Sequence, residues 1–168
     1  MIAYLKGKIK FIFKDYIIVD VRDVGYKVFC GYSLLSKNIN SEIEIFIFHN
    51  LREDADDLFG FVSNNELEFF EKLISVKGIG PKTAMNILSS ANDVNMLKQG
   101  ILSGDVAFVS KVKGVGKKSA ERIILELAGK LNIGDIIAEN FYSDSSDDAV
   151  SALISLGYSE KDAKILLK

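Results

Sequence analysis

The sequence predicts an α+β protein with more than one domain. Its expected parts are an N-terminal five-stranded β-barrel, a middle all-α domain built on two glycine-centred helix pairs, and a short C-terminal helical segment. Three observations predict this organisation. Apolar and polar residues alternate through residues 1–62, the apolar period becomes helical after Ser63, and one glycine phrase occurs twice, as VKGIGPKTA at 76–84 and VKGVGKKSA at 112–120.

The N-terminal region shows the period of two that is typical of half-buried strands. In EIEIFIF at 42–48 the isoleucines share one face and the glutamates take the other. The predicted strands lie near residues 1–13, 16–22, 25–30, 42–51 and 58–62, with an irregular or short helical piece at 33–39. Five short strands in one such region suit the oligonucleotide-binding (OB) fold, although an SH3-like barrel would give nearly the same pattern. A general single-strand DNA-binding module built on this barrel is an alternative function. It would need exposed aromatic side chains, for which Phe11, Phe13, Phe46 and Phe48 are the candidates, although core packing also accounts for them.

Helices are predicted from Ser63 onward. Ser63 with Glu66 three residues later is a capping-box pattern, and apolar residues then recur at helical spacing. The predicted helices span residues 64–75, 81–90, 93–100, 104–111 and 117–130. The stretch at 135–148 is polar and predicts a linker, and 149–168 predicts two short helices broken at Gly157. The expected divisions are therefore 1–62, 63–134, 135–148 and 149–168.

Charge is distributed unevenly along the chain. Residues 1–62 carry 8 basic and 9 acidic residues, 63–134 carry 10 and 7, and 135–168 carry 3 and 7. The middle region is therefore the only positive one, which favours it for contact with nucleic acid. The N-terminus alternates charged and apolar residues, unlike a secretory signal, and no apolar run is long enough for a membrane span. Cys30 and His49 are the single residues of their types, so we expect a reducing cytoplasm and no metal site.

The repeated phrase predicts a helix, a tight glycine turn and a second helix that begins at the turn. The apolar residue between the two glycines of each copy would pack back into the helix pair. Backbone N–H groups at the turn, the positive end of the second helix and the adjacent lysines together form an anion site that carries no sequence preference. This arrangement is the helix-hairpin-helix motif, and two copies would bind two phosphates of a backbone.

The phrase is also compatible in part with other motifs. A dinucleotide-binding fingerprint needs a third glycine, whereas Thr83 and Ser119 stand there, and a P-loop needs four residues between its glycines. A glycine turn that only packs two helices would explain one copy. A helix-hairpin-helix glycosylase would place a catalytic aspartate beyond Lys118, and Asp135 is the one candidate.

An acidic loop, LREDADDLFG, occupies residues 51–60. Its four carboxylates could hold Mg²⁺ for phosphodiester cleavage, could be the solvated end of an ordinary hairpin, or could repel DNA strands and keep them apart. The acids are Glu53, Asp54, Asp56 and Asp57.

The chain resembles the RuvA family, the bacterial Holliday-junction-binding subunits of the RuvAB branch-migration complex. The resemblance rests on the order of several segments: MIAYLKGKI at 1–9, DVGYKV at 23–28, LREDADDLFGF at 51–61, both glycine phrases, and ALISLGYSEKDA at 152–163. It implies an OB-like barrel, two helix-hairpin-helix motifs and a small C-terminal helical domain. It also implies a role in homologous recombination, DNA repair and the SOS response.

The resemblance implies roles for particular residues. Glu53 and Asp54 fall on an acidic pin that sits at the junction crossover and repels phosphates. The two turns, with Arg122 one helical turn further on, would bind backbone phosphates of each arm. The DNA-binding set is Val76, Gly78, Ile79, Gly80, Lys82, Val112, Gly114, Val115, Gly116, Lys117, Lys118 and Arg122.

The resemblance also implies partners and a lack of catalysis. The expected partners are a four-way DNA junction, further copies of the chain in a tetramer or a pair of tetramers, the RuvB hexameric ATPase and the RuvC resolvase. No catalytic residue, cofactor or metal is expected, because the chemical energy would enter through RuvB. The family's C-terminal domain has three helices, whereas two short ones are predicted here, with candidate RuvB-contact or core residues Leu156, Tyr158, Ile165 and Leu166.

Overall fold

The computed structural model describes residues 1–53, 55–91 and 94–131. Five strands form the first part: β1 (Tyr4–Ile12), β2 (Tyr16–Val21), β3 (Val24–Cys30), β4 (Glu42–Arg52) and β5 (Ala55–Phe61). One short helix, α1 (Tyr32–Leu35), lies between β3 and β4. The predicted linker at 135–148 and helices at 149–168 lie outside the described residues, and so do Asp54, Leu156, Tyr158, Ile165 and Leu166.

The five strands close into a barrel in the order β1-β2-β3-β5-β4. Most neighbours are antiparallel, whereas β3 and β5 run parallel, with Val28 opposite Leu58 and Cys30 opposite Gly60. β1 closes the barrel because it pairs with both β2 and β4, and its register shifts between Ile9 and Phe11. This five-stranded closed barrel confirms the predicted OB-like architecture.

The barrel interior is filled by the apolar side chains that alternate along each strand. Ile9, Ile17, Val19, Val28 and Ile45 have no exposed surface. Their neighbours along the strands point outward, because successive side chains of a strand lie on opposite faces. The alternation that predicted the strands is therefore the alternation that builds the core.

Helices follow the barrel, in the order α2 (Asn64–Ile74), α3 (Pro81–Ser90), α4 (Val94–Leu102), α5 (Val106–Val109) and α6 (Lys117–Leu127). The predicted capping box is present at the start of α2. Ser63 Oγ accepts a hydrogen bond from the Glu66 N–H at 3.2 Å, and the Glu66 carboxylate accepts one from the Val62 N–H at 3.1 Å.

Among the boundaries that differ from the predicted ones, two have an identifiable local reason. The predicted helix at 104–111 is the single turn α5, because Asp105 caps it by accepting from the Phe108 N–H and Ser110 ends it. The last predicted strand begins at Ala55 instead of residue 58, because β4 and β5 continue as a hairpin to the pair Arg52 and Ala55. Asp56 and Asp57 therefore lie on a strand and not in a loop.

Aromatic side chains fasten α2 to the barrel. Phe70 is fully buried, and its ring centroid lies 4.8 Å from Phe61, 5.2 Å from Phe48 and 5.6 Å from Phe59. Residues Met1–Lys130 form one compact unit that contains both the barrel and these helices. The first glycine turn, which follows α2 directly, is thereby held in a fixed position on the barrel.

Candidate nucleic-acid interface

The first glycine turn joins α2 to α3 through residues 75–80. The Ile79 N–H donates to the Val76 carbonyl at 3.0 Å, and both of these side chains are buried. Gly78 has φ +89°, a left-handed conformation that glycine adopts without strain. Gly80 precedes α3 in an extended conformation, with φ −90° and ψ 170°.

The second glycine turn repeats this backbone between α5 and α6. The Val115 N–H donates to the Val112 carbonyl at 3.0 Å, Gly114 has φ +91°, and Gly116 has φ −80° and ψ 166°. Val115 is buried and Val112 is half-buried. Similar sequence thus gives the same local structure twice, and the predicted packing of the apolar residue between the glycines is confirmed at Ile79 and Val115.

Both turns leave the start of the following helix open. Neither Gly80 nor Gly116 has a side chain that could accept a hydrogen bond from the first N–H groups of its helix. A Cβ atom placed on either glycine would meet nothing within 4 Å. Each helix therefore begins at an uncovered surface where N–H donors and the positive end of the helix dipole are available to an anion.

The two turns differ in the charge and donors they offer. The first helix begins with Pro81, which lacks an N–H, and has one exposed lysine, Lys82, in its first turn. The second begins with two exposed lysines, Lys117 and Lys118, and both keep their backbone N–H. The second turn consequently offers one more backbone donor and one more positive charge.

Arg122 connects the two turns. It lies on α6, and its Nη1 donates to the backbone carbonyl of Lys77 in the first turn at 3.0 Å. Nη1 would also lie 3.5 Å from a Cβ on Gly78. Lys130, just beyond α6, approaches Ser75 Oγ at 3.5 Å. The sequence could not reveal this connection, because Arg122 and Lys77 are 45 positions apart and no periodic pattern relates them.

The acidic hairpin between β4 and β5 is anchored at its base by His49. The His49 Nδ1 accepts a hydrogen bond from the Ile2 N–H at 3.0 Å, and its Nε2 lies 2.6 Å from Asp56 Oδ1. Since Nδ1 is the acceptor, Nε2 carries the proton of the neutral ring and donates it to Asp56. Asp56 is thus engaged at the base, whereas Glu53 is exposed in the turn and Asp54 lies outside the described residues.

The described residues form neither a metal site nor a reactive thiol. Within residues 1–53, 55–91 and 94–131, no three His, Cys, Asp or Glu side chains lie close enough together to hold a metal ion. Burial raises the pKa of the Cys30 thiol to about 12, so this thiol stays protonated and unreactive near neutral pH. None of the helices in those ranges is long and apolar enough to cross a membrane.

An OB-like barrel joined to a helix-hairpin-helix tandem is the architecture of a class of DNA-binding proteins. Family comparisons agree and are more specific. Residues 1–60 match the RuvA N terminal domain, 70–128 match the SAM-like helix-hairpin-helix tandem, and 144–168 match the RuvA C-terminal domain.

Proteins that are similar to this chain over its full length also carry the RuvA name. The chain is 42% identical over its full length to the Holliday junction branch migration complex subunit RuvA of Clostridium beijerinckii, and it covers 89% of that protein. The proteins of the same name from Hathewaya histolytica and Clostridium perfringens are 41% and 35% identical over the full chain, with 89% and 90% of their lengths covered. The chain belongs to the RuvA family.

Proposed function

We propose that this protein binds four-way DNA junctions and acts as the DNA-binding subunit of a branch-migration complex. One observation carries the proposal: two turns of matching backbone geometry, both open at a helix start, are held in one compact unit with an acidic hairpin. Membership of the RuvA family and the names of its relatives support it.

The turns and the hairpin would have different roles because they carry opposite charges. The glycine turns would bind backbone phosphates of each junction arm without regard to sequence, with Lys82, Lys117 and Lys118 adding charge beside the N–H donors. The acidic hairpin, whose sequence between the two strands includes Glu53 and Asp54, would lie at the crossover. There the carboxylates repel phosphates and keep the strands apart, which holds the junction open and square.

The protein would assemble as a ring of four subunits and would depend on a partner ATPase for energy. A fourfold ring of identical subunits would offer one pair of turns to each of the four arms, either as one tetramer or as two on opposite faces of the DNA. The chain itself would be non-catalytic and cytoplasmic, and it would support the RuvB ATPase during recombination and repair, with the RuvC resolvase acting on the same junction. Residues 149–168 would supply the RuvB contact.

A gel-shift experiment tests the proposal. The full chain is mixed with an immobile four-way junction, a linear duplex of the same length as two joined arms, and a single strand, each with and without Mg²⁺. We expect tight, salt-sensitive and selective binding of the junction, with all DNA left intact. Equal binding of duplex and junction would remove the junction from the proposal. Mg²⁺-dependent cleavage products would instead indicate a structure-specific nuclease.

A further inference from the structure

A row of aromatic rings lies on the outer face of the barrel, from Phe13 just before β2, across β2 and β3, to Phe59 on β5. Tyr16 and Phe29 are register partners on these strands, with ring centroids 5.9 Å apart. Phe13 is stacked on Tyr16 at 4.5 Å with an interplanar angle of 17°, and Phe59 is stacked on Phe29 at 5.5 Å. The row therefore follows the outer face of the barrel, from the exposed Phe13 to the buried Phe59, which Phe70 of α2 covers.

Two lysine ammonium groups rest on this row. Lys27 Nζ lies 4.5 Å from the Tyr16 ring centroid and 4.7 Å from that of Phe29. Lys82 Nζ, which comes from α3, lies 5.6 Å from the same Phe29 centroid. Both lysines are exposed, and neither takes part in an ion pair with an acid in the described ranges. Two uncompensated positive charges over one ring favour an anion nearby.

The lysine–aromatic patch, defined as Phe13, Tyr16, Lys27, Phe29 and Lys82, is continuous with the first glycine turn. Lys82 is the second residue of α3, so it stands beside the open helix start and on the patch at once. The far end of α3 also approaches the barrel, because Ser89 Oγ would lie 3.3 Å from a Cβ on Gly31. The helix α3 and the end of β3 therefore lie side by side and form one continuous surface.

We propose that Lys27 extends the phosphate-binding surface of the first turn onto the barrel, where it binds the sugar-phosphate backbone of the same DNA arm. The inference rests on the proposed function and adds a barrel residue that the glycine motifs do not predict. The patch binds backbone and not bases. Tyr16 already carries Phe13 and Lys27 on its ring, and Phe29 carries Phe59 and both lysines, which leaves little surface on these two rings for base stacking. Phe13, which is 47% exposed, is the ring of the patch that a base could still reach.

The test compares Lys27→Gln with Lys8→Gln in the full chain. Both changes remove one positive charge from the barrel, but Lys8 already has a carboxylate partner, with its Nζ 3.9 Å from Glu42 Oε1. Junction affinity is measured between 50 and 200 mM salt. Lys27→Gln should reduce the slope of log affinity against log salt by about 0.9 for each subunit whose lysine contacts DNA. Lys8→Gln should leave the slope unchanged, and Lys27→Arg should restore it.

Each result has a defined meaning. If the unaltered protein fails to select the junction, the proposed function is wrong and this inference falls with it. If the unaltered protein selects the junction and the slope is the same in Lys27→Gln, only the barrel contact is refuted. Binding to a single-stranded oligothymidylate gives the remaining check. A loss there in Phe13→Ala without any loss in Lys27→Gln would show base stacking and overturn the inference.

Discussion

Replacing Gly80 and Gly116 together with valine should abolish junction binding while the protein stays folded. Both glycines have extended, negative-φ conformations that valine adopts, and a Cβ on either would meet nothing within 4 Å. The added side chains would then project into the open surface at the start of α3 and α6. A phosphate could no longer approach the N–H donors there.

The expected stability cost of the two substitutions is too small to unfold the protein, so a loss of binding would not be due to unfolding. Valine is a poorer helix N-cap than glycine, so each change should cost about 0.5–1 kcal/mol of stability, a small part of the roughly 5–15 kcal/mol typical of a folded protein. The corresponding changes at Gly78 and Gly114 would be unsuitable. Their φ values of +89° and +91° would add strain of about 1–2 kcal/mol each and would distort the turns themselves.

Junction affinity and thermal unfolding are measured on the same samples. Binding should be lost at about 150 mM salt. Where lower salt leaves a residual shift, loss of one phosphate contact at each turn should lower the salt slope by about 1.8 per subunit, at two contacts of about 0.9 each. Gly129→Val is the matched control, because a Cβ there also meets nothing within 4 Å and φ is not positive. Unchanged affinity in the double variant would refute phosphate binding by the turns.

Three further outcomes are expected. Arg122→Ala should remove the hydrogen bond to the Lys77 carbonyl, which should lower the free energy of unfolding in urea by about 0.5–1.5 kcal/mol and weaken junction binding. An effect on binding alone would show that Arg122 contacts DNA without joining the turns. Phe70→Ala should cost about 3–5 kcal/mol in the same urea assay, and a loss below about 1 kcal/mol would contradict its role in fastening α2 to the barrel. Cys30 should resist alkylation at pH 8 until the protein is unfolded. Because its folded pKa of about 12 exceeds the unfolded value, the stability linked to it should be full below pH 9 and fall as the pH rises toward 12; rapid labelling of the folded protein would contradict this.

Local patterns predicted most of the fold. The alternation in residues 42–48 and the capping box at Ser63 are set by neighbours in sequence, and both elements formed where they were predicted. The alternation alone is compatible with both an OB-like and an SH3-like barrel. It depends on the parallel pairing of β3 with β5, two strands separated by a helix and another strand. Such long-range pairing leaves no periodic trace in the sequence.

The candidate site was predictable to the same degree. Glycine spacing located both turns because their φ values demand glycine at Gly78 and Gly114. The connection through Arg122, the anchoring of Asp56 by His49 and the approach of Lys82 to Phe29 each join distant segments. These contacts depend on how helices and strands pack together, so only the three-dimensional structure reveals them. The role of the acidic hairpin at a crossover stays a prediction.

Ethylation interference on an immobile four-way junction tests the central claim most directly, because it reports which backbone phosphates must stay charged and unobstructed for binding. Two open glycine turns in each subunit predict two separate groups of sensitive phosphates on every arm. A single group on each arm, or none, would contradict the claim that this protein holds a junction by two turns of matching backbone geometry.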